Sequence, residues 1–369
     1  MVDVARMNAP IGIDRFSKLS RVAVENEIAN RDSPFILTDV VTEWPAFSRW
    51  TLSYLGERIG DRKVKVSVSH GRVFHYGSTE HAQARTRELP FDEALRQIAH
   101  HDGATEHLYI MEQQSSAGYS VADVYPELAN DFAAPAAIEK EKLRQVNLWI
   151  GTAGNVTPLH YDAANNFLAQ IRGRKRIHLF HPSQADLLYP SATRQSANNT
   201  SQVLLLKPDF DKHPRFKEAV ACECTLQPGE MLYIPPHWWH HVESLDAAIS
   251  LNFWWKPRLA QFLHPMGIQS IYYHHDRGEL VHARDVLDLA EFEDLADVAS
   301  YCLDRGQKCI AVLFAQAELD RRRANGEPAG VSTQWQDLIR RAEQGDDLQM
   351  DQERVASFLR QLTNERTAH

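Results

Sequence analysis

The chain has 369 residues, of which 43% are hydrophobic and 24% charged, and carries a net charge of −9. That composition is ordinary for a soluble globular protein, with length for one large domain or two or three smaller ones. The acidic balance argues against a general nucleic-acid or anionic-membrane binder, whose affinity would come from basic surface, and leaves open only a local basic groove.

The first 25 residues carry charges throughout and no apolar core, so no signal peptide is expected. No run approaches the roughly 18 apolar residues of a membrane span. A cytoplasmic protein with no membrane partner is the expectation. Four cysteines, Cys222, Cys224, Cys302 and Cys309, are too few for a disulfide scaffold, and Cys222-Glu-Cys224 lacks the gap of a zinc knuckle. They read as reduced thiols.

In chain order, residues 1–105 mix short strands and helices that pack on a core. Pro34–Val41 reads as a buried strand, because β-branched and aromatic residues follow a proline. Trp50–Ile59 has helical spacing at Leu52, Leu55 and Ile59, with Gly60 as its stop. Lys63–Val68 alternates polar with apolar, as a half-buried strand does. Across 106–256 the strand signal dominates. From Pro257 the pattern turns helical, with apolar residues three or four apart at 285–303, 310–317 and 355–362, and a charged linker at 321–330. A β-rich core followed by a helical C-terminal region, 257–369, is the predicted architecture.

A His-x-Asp pair on a strand places two metal-binding side chains on one face, since alternate residues point the same way. With a distant histidine, such a pair gives two nitrogens and one carboxylate on one side of an iron, leaving positions open for a keto acid and O2. The pattern occurs three times. His100-His-Asp102 ends a helical segment at a turn, which suits a cation at a helix C-terminus. His274-His-Asp276 likewise ends a segment. His160-Tyr-Asp162 instead precedes two strand-like runs, Asn166–Arg172 and Lys175–His181, separated by Gly173-Arg174. Gly at the first turn position suits a type II′ hairpin, which would pair Arg172 with Lys175 and Asn166 with His181. Asn166 and Lys175 then share a face. A lysine inside a barrel needs an anionic partner, such as the distal carboxylate of 2-oxoglutarate; the alternative is a solvated turn residue. For the third ligand, His237, His240 and His241 compete after the strand Pro228–Pro235. Farther on, Ser250, Asn252 and Trp254 share one strand face.

Five segments, Thr157–Asp162, Asn166–Arg176, Pro228–Pro235, Trp238–Ser244 and Asn252–Trp254, resemble in order the cupin-8 branch of the JmjC family. The likeness spans about 30–256 and is greatest to the asparaginyl hydroxylase acting on hypoxia-inducible factor. It implies a double-stranded β-helix, or jelly roll, with helices packed outside. It also implies His160, Asp162 and His240 as ligands of Fe(II), and Lys175, Thr157, Asn166, Tyr109 and Asn252 around 2-oxoglutarate. Trp254 matches an aromatic beside iron and substrate. The implied activity is hydroxylation of an amino-acid side chain in a protein or peptide, consuming O2 and releasing succinate and CO2. N-methyl-lysine demethylation, RNA or small-molecule hydroxylation, and a non-catalytic metal- or ligand-binding cupin are the alternatives. The resemblance further implies a homodimer through C-terminal helices. Two departures fall on the substrate side. Met111 stands where a polar residue is usual, unless Glu112 or Gln113 takes its role by a shift, and 183–220 has no match.

Overall fold

The structure, a computed structural model, describes residues 10–74, 85–103, 106–113, 118–191 and 199–257, together with Gln336 and Arg340. The helical patterns at 285–303, 310–317 and 355–362, the linker at 321–330, the His274 pattern, Cys302 and Cys309 lie outside the described residues. So does any dimerising helix. The described residues up to Lys256 form one compact unit. Among the described residues, no helix is long and apolar enough to cross a membrane.

Fifteen strands occur there. The first seven are β1 (Ile11–Gly12), β2 (Asp14–Phe16), β3 (Phe35–Leu37), β4 (Lys63–Ser69), β5 (Arg85–Pro90), β6 (His107–Glu112) and β7 (Tyr119–Ser120). Next come β8 (Leu143–Gly151), β9 (Val156–His160), β10 (Asn165–Arg172) and β11 (Lys175–Phe180). The last four are β12 (Cys222–Leu226), β13 (Met231–Ile234), β14 (Trp239–Ser244) and β15 (Ala248–Trp255). A ten-stranded sheet runs β2-β3-β13-β10-β15-β8-β6-β4-β5, with β7 beside β8, and a five-stranded sheet runs β1-β12-β11-β14-β9. From β8 to β15 the chain crosses to the other sheet at every step except β11 to β12, the mark of a jelly roll.

Helices α1 (Arg21–Asn30), α2 (Pro45–Arg49), α3 (Leu52–Ile59), α4 (Phe91–Ala99) and α5 (Val121–Val124) complete the unit. The helix at 50–59 forms as expected: Thr51 caps α3 by accepting from the Tyr54 amide, and Leu55 and Ile59 are buried. Strand β4 alternates exposed and buried residues through Val66, and its valines are buried. His100 is the C-cap of α4, with its Nδ1 2.8 Å from the Arg96 carbonyl, so the first His-x-Asp pattern is a helix end.

Two apolar layers result from strand alternation. In β10, Phe167, Ala169 and Ile171 join the core under the helices, where α1, α3 and α4 bury Val24, Leu55 and Leu95. Leu168 faces the other way and meets Ile177, Leu179, Cys224, Leu226 and Ile234 between the sheets. At about 25 cal/mol per Å² of apolar surface, these layers supply most of the driving force for the fold.

The predicted hairpin does not form. Strand β10 pairs with β13 and β15, whereas β11 pairs with β12 and β14. Gly173-Arg174 is therefore a corner between sheets, with Gly173 at φ +67°. An apolar run on each side of a glycine turn favours pairing only when both strands bury one common face. Here Leu168 and Ile177 meet instead in the apolar layer between the two sheets. Asn166 and Lys175 still point inward, because alternation within a strand does not depend on its partner.

Candidate active site

Strand β9 ends at His160, and Asp162 follows two residues later. His240 stands directly opposite His160 in the β14–β9 pairing. The two imidazole rings are 4.1 Å apart at their centroids, and His240 Nε2 lies 3.6 Å from an Asp162 carboxylate oxygen. Each ring is held by the carbonyl two residues before it: His160 Nδ1 is 2.8 Å from Pro158 O and His240 Nδ1 is 2.9 Å from Trp238 O. A carbonyl only accepts, so each Nδ1 carries a proton, and each ring aims its Nε2 inward. The Asp162 carbonyl accepts from the His237 amide at 2.7 Å. His237 reaches it from a left-handed conformation, φ +65°, in the turn after Pro235-Pro236. Burial, with His160 beside it, lowers the His240 pKa to about 4 against the pull of Asp162, keeping the ring neutral at physiological pH.

One donor atom from each of His160, Asp162 and His240 lies within 4.8 Å of the others. Two imidazole nitrogens and a carboxylate oxygen facing one cavity form a donor set that fits a divalent iron and leaves its cavity side open. His241 is on the opposite face of β14. It pairs with His178 of β11, with ring centroids 5.9 Å apart, so alternation separates the two adjacent histidines.

The cavity holds about 340 Å³. Every residue that the family resemblance implied for metal, cosubstrate or substrate lines it: the three candidate ligands, then Tyr109, Thr157, Asn166, Lys175, Asn252 and Trp254. Lys175 is 3% exposed. Burial alone brings its pKa down to about 7, and among the described residues its ammonium has no hydrogen-bond or ion-pair partner. An unpaired cation on a cavity wall calls for an anion. Tyr109 hydrogen-bonds Thr157, while burial raises the phenol's pKa. Asn166 Oδ1 and Trp254 Nε1 are buried without partners, which leaves an acceptor and a donor side by side, since these residues face each other in the β10–β15 pairing.

A model of the cupin-like domain known as cupin 8 matches residues 21–261. The chain belongs to the JmjC/cupin-8 family. Lysine-specific demethylase 8 of Xenopus tropicalis is 34% identical over 231 residues, which are 60% of this chain and 48% of that protein. Lysine-specific demethylase JMJ30 of Arabidopsis thaliana is 35% identical over 227 residues, 61% of this chain and 50% of its own. A third relative, tRNA wybutosine-synthesizing protein 5 of Gallus gallus, is 33% identical over 221 residues, 58% of this chain and 67% of its own. The chain thus spans about half the length of the two demethylases.

Within this cupin-8 barrel some lining residues escaped sequence reading. Asn199 and Thr200 come from 183–220, the stretch without a motif. They reach the site because Thr200 bridges to His160, while Asn199 both accepts from the Tyr161 amide and donates its own side-chain amide to Tyr161 O, each at 2.9 Å. Nothing local in the sequence signals this edge pairing. Gln113 also lines the cavity, whereas Met111 packs with Phe74, Tyr109 and Trp149. Glu112 turns to Tyr125 beneath the helices. Of the three candidates for the polar position, Gln113 is therefore the one at the cavity. Cys224 is buried and Cys222 half-buried, both free thiols toward the inter-sheet core.

Proposed function

We propose that this protein is an Fe(II)- and 2-oxoglutarate-dependent dioxygenase that hydroxylates an amino-acid side chain of a protein or peptide. The observation that carries the reading is the buried, unpaired Lys175 on the wall of the same cavity as His160, Asp162 and His240. Iron with this cosubstrate and O2 supplies the power to oxidise an unactivated C–H bond. The chain's own part is arrangement. His160, Asp162 and His240 hold the metal on one side, with both histidine tautomers set by backbone carbonyls. Lys175 binds the distal carboxylate, and Tyr109, Thr157, Asn166 and Asn252 surround the rest. Trp254 and Trp149 exclude water from the reacting end.

The test is release of succinate from 2-oxoglutarate by the iron-loaded protein, followed by mass spectrometry of captured proteins and peptides. We expect a gain of one oxygen retained on a side chain. No turnover in the presence of iron, 2-oxoglutarate and O2 across peptide and RNA pools would leave a binding cupin as the better reading.

Of the three relatives described above, two carry the name lysine-specific demethylase and one the name tRNA wybutosine-synthesizing protein. The same site oxidising a carbon bound to nitrogen gives demethylation, marked by formaldehyde release and loss of the methyl group. Oxygen appearing on RNA instead would shift the substrate to nucleic acid, which the net charge of −9 opposes only on average over the surface.

A further inference from the structure

Asn252 lies on β15 with its side chain in the cavity. The orientation of an asparagine amide is often ambiguous, because its oxygen and nitrogen ends have similar shapes. Here a neighbour removes the ambiguity. Trp149 of β8 donates its indole Nε1–H to Asn252 Oδ1 at 3.0 Å. An indole nitrogen is a donor only, so the group it meets is the amide oxygen and never the NH2. The oxygen end of Asn252 is thereby turned to Trp149. Its Nδ2 has no hydrogen-bond partner among the described residues and remains as a donor on a cavity wall.

The surroundings explain why this task falls to Trp149. Directly opposite Asn252 in the β15–β8 pairing is Asn147, fully buried, with neither of its amide atoms hydrogen-bonded. Trp149 itself pairs with Ser250 and reaches Asn252 across the diagonal, within range of a large side chain. Its ring is set in turn by Tyr109, 5.7 Å away between centroids, and by packing with Phe74. Without the indole N–H, the Asn252 amide is free to turn its NH2 toward the Asn147 oxygen and to present a carbonyl oxygen to the cavity. A carbonyl facing an anionic ligand repels it.

We infer that Trp149 is a positioning residue for cosubstrate binding: it locks Asn252 as a hydrogen-bond donor toward an anionic ligand in the cavity. The inference rests on the reading of the cavity as a 2-oxoglutarate site. Lys175 and Asn252 Nδ2 then form a donor wall for a dicarboxylate, one by charge and one by a fixed dipole.

The test is a double-mutant cycle on the full chain, reading 2-oxoglutarate affinity by anaerobic titration of the metal-loaded protein. Trp149→Phe keeps the ring packing and removes the N–H. It should weaken 2-oxoglutarate by about ten- to a hundredfold, the loss expected for one hydrogen bond to a charged group. Asn252→Ala should weaken it by a similar factor, and Trp149→Phe added to Asn252→Ala should change it little further, because the indole acts through the amide. Asn252→Asp keeps an acceptor for the indole but puts an oxygen where Nδ2 was, and should bind more weakly than Asn252→Ala. Metal affinity and thermal unfolding of Trp149→Phe serve as folding controls and should match the parent. Independent, multiplying losses in the double mutant, or Asn252→Asp binding as well as the parent, would overturn the inference. Lys175→Ala separates the two readings. If it too leaves 2-oxoglutarate affinity untouched, the cosubstrate reading itself fails; if it weakens binding while the cycle is additive, only the role of Trp149 falls.

Discussion

At the scale of single residues, the site is built from groups whose protonation and direction are set by a few contacts. His160→Ala, Asp162→Ala and His240→Ala should each abolish iron-dependent 2-oxoglutarate turnover, whereas His241→Ala, on the far face of β14, should retain a substantial part. Anaerobic iron titration with succinate detection checks this; a dead His241→Ala with normal folding would contradict the assignment. Lys175→Ala should weaken 2-oxoglutarate by roughly ten- to a hundredfold, the range for a charge-assisted contact, with iron binding intact. The same lysine makes stability depend on pH. Its pKa in the ligand-free fold is lowered to about 7, against about 10.4 in an unfolded chain. Between those values the unfolded chain binds the extra proton, so this residue's contribution to stability rises with pH there, and its full penalty is present below about pH 7. Lys175→Met should therefore stabilise the metal- and ligand-free protein by about 2–4 kcal/mol below that pH. The gain should shrink toward about pH 10 as both states of the parent lose the proton. Thermal melts across that window report the sign directly.

At the scale of elements, the corner between β10 and β11 decides which residues face the cavity. Gly173 sits there at φ +67°, and a Cβ added to it would lie 2.3 Å from the Ala247 carbonyl oxygen, a backbone atom that cannot swing aside. Gly173→Ala should destabilise the protein by about 2–4 kcal/mol, combining left-handed strain with this close approach. Denaturant unfolding measures it, and a loss below about 1 kcal/mol would mean that the corner relaxes freely. Two apolar runs flanking Gly-Arg satisfy every local rule for a hairpin, yet each strand finds its partners more than 45 residues away, Leu168 opposite Leu232 and Asn252, and Ile177 opposite Cys224 and Val242. Local turn chemistry specifies a reversal of the chain; burial on both sheets specifies what lies beside each strand.

At the scale of the whole molecule, the JmjC/cupin-8 match ends at residue 261 and leaves more than a hundred residues to the C-terminus. Their apolar stripes, such as Val355, Phe358, Leu359 and Leu362, repeat at helical spacing and need a surface to cover. We expect a homodimer in which these stripes meet, two-fold pairing being the commonest closed arrangement. Light scattering on the intact chain at micromolar concentration is the test: a mass of one chain refutes it. Phe358→Glu with Leu362→Glu should convert the dimer to a monomer and leave 2-oxoglutarate binding unchanged, since the cavity residues all precede Lys256.

The sequence by itself determined the directions of side chains within each strand. Alternation put Asn166 and Leu168 on one face of β10, Lys175 and Ile177 on one face of β11, and Asn252 and Trp254 on one face of β15, whatever lay beside them. It also held His160 and Asp162 together, because a spacing of two is a covalent fact. Only the tertiary structure decided how those faces meet. It set β10 and β11 in opposite sheets, opposed His240 rather than His241 to His160 by register, carried Asn199 and Thr200 to the cavity, and aimed the Trp149 indole at Asn252. Each of these depends on pairing between distant segments, which is fixed by the apolar surface that the two sheets bury together and has no counterpart in any short stretch of chain.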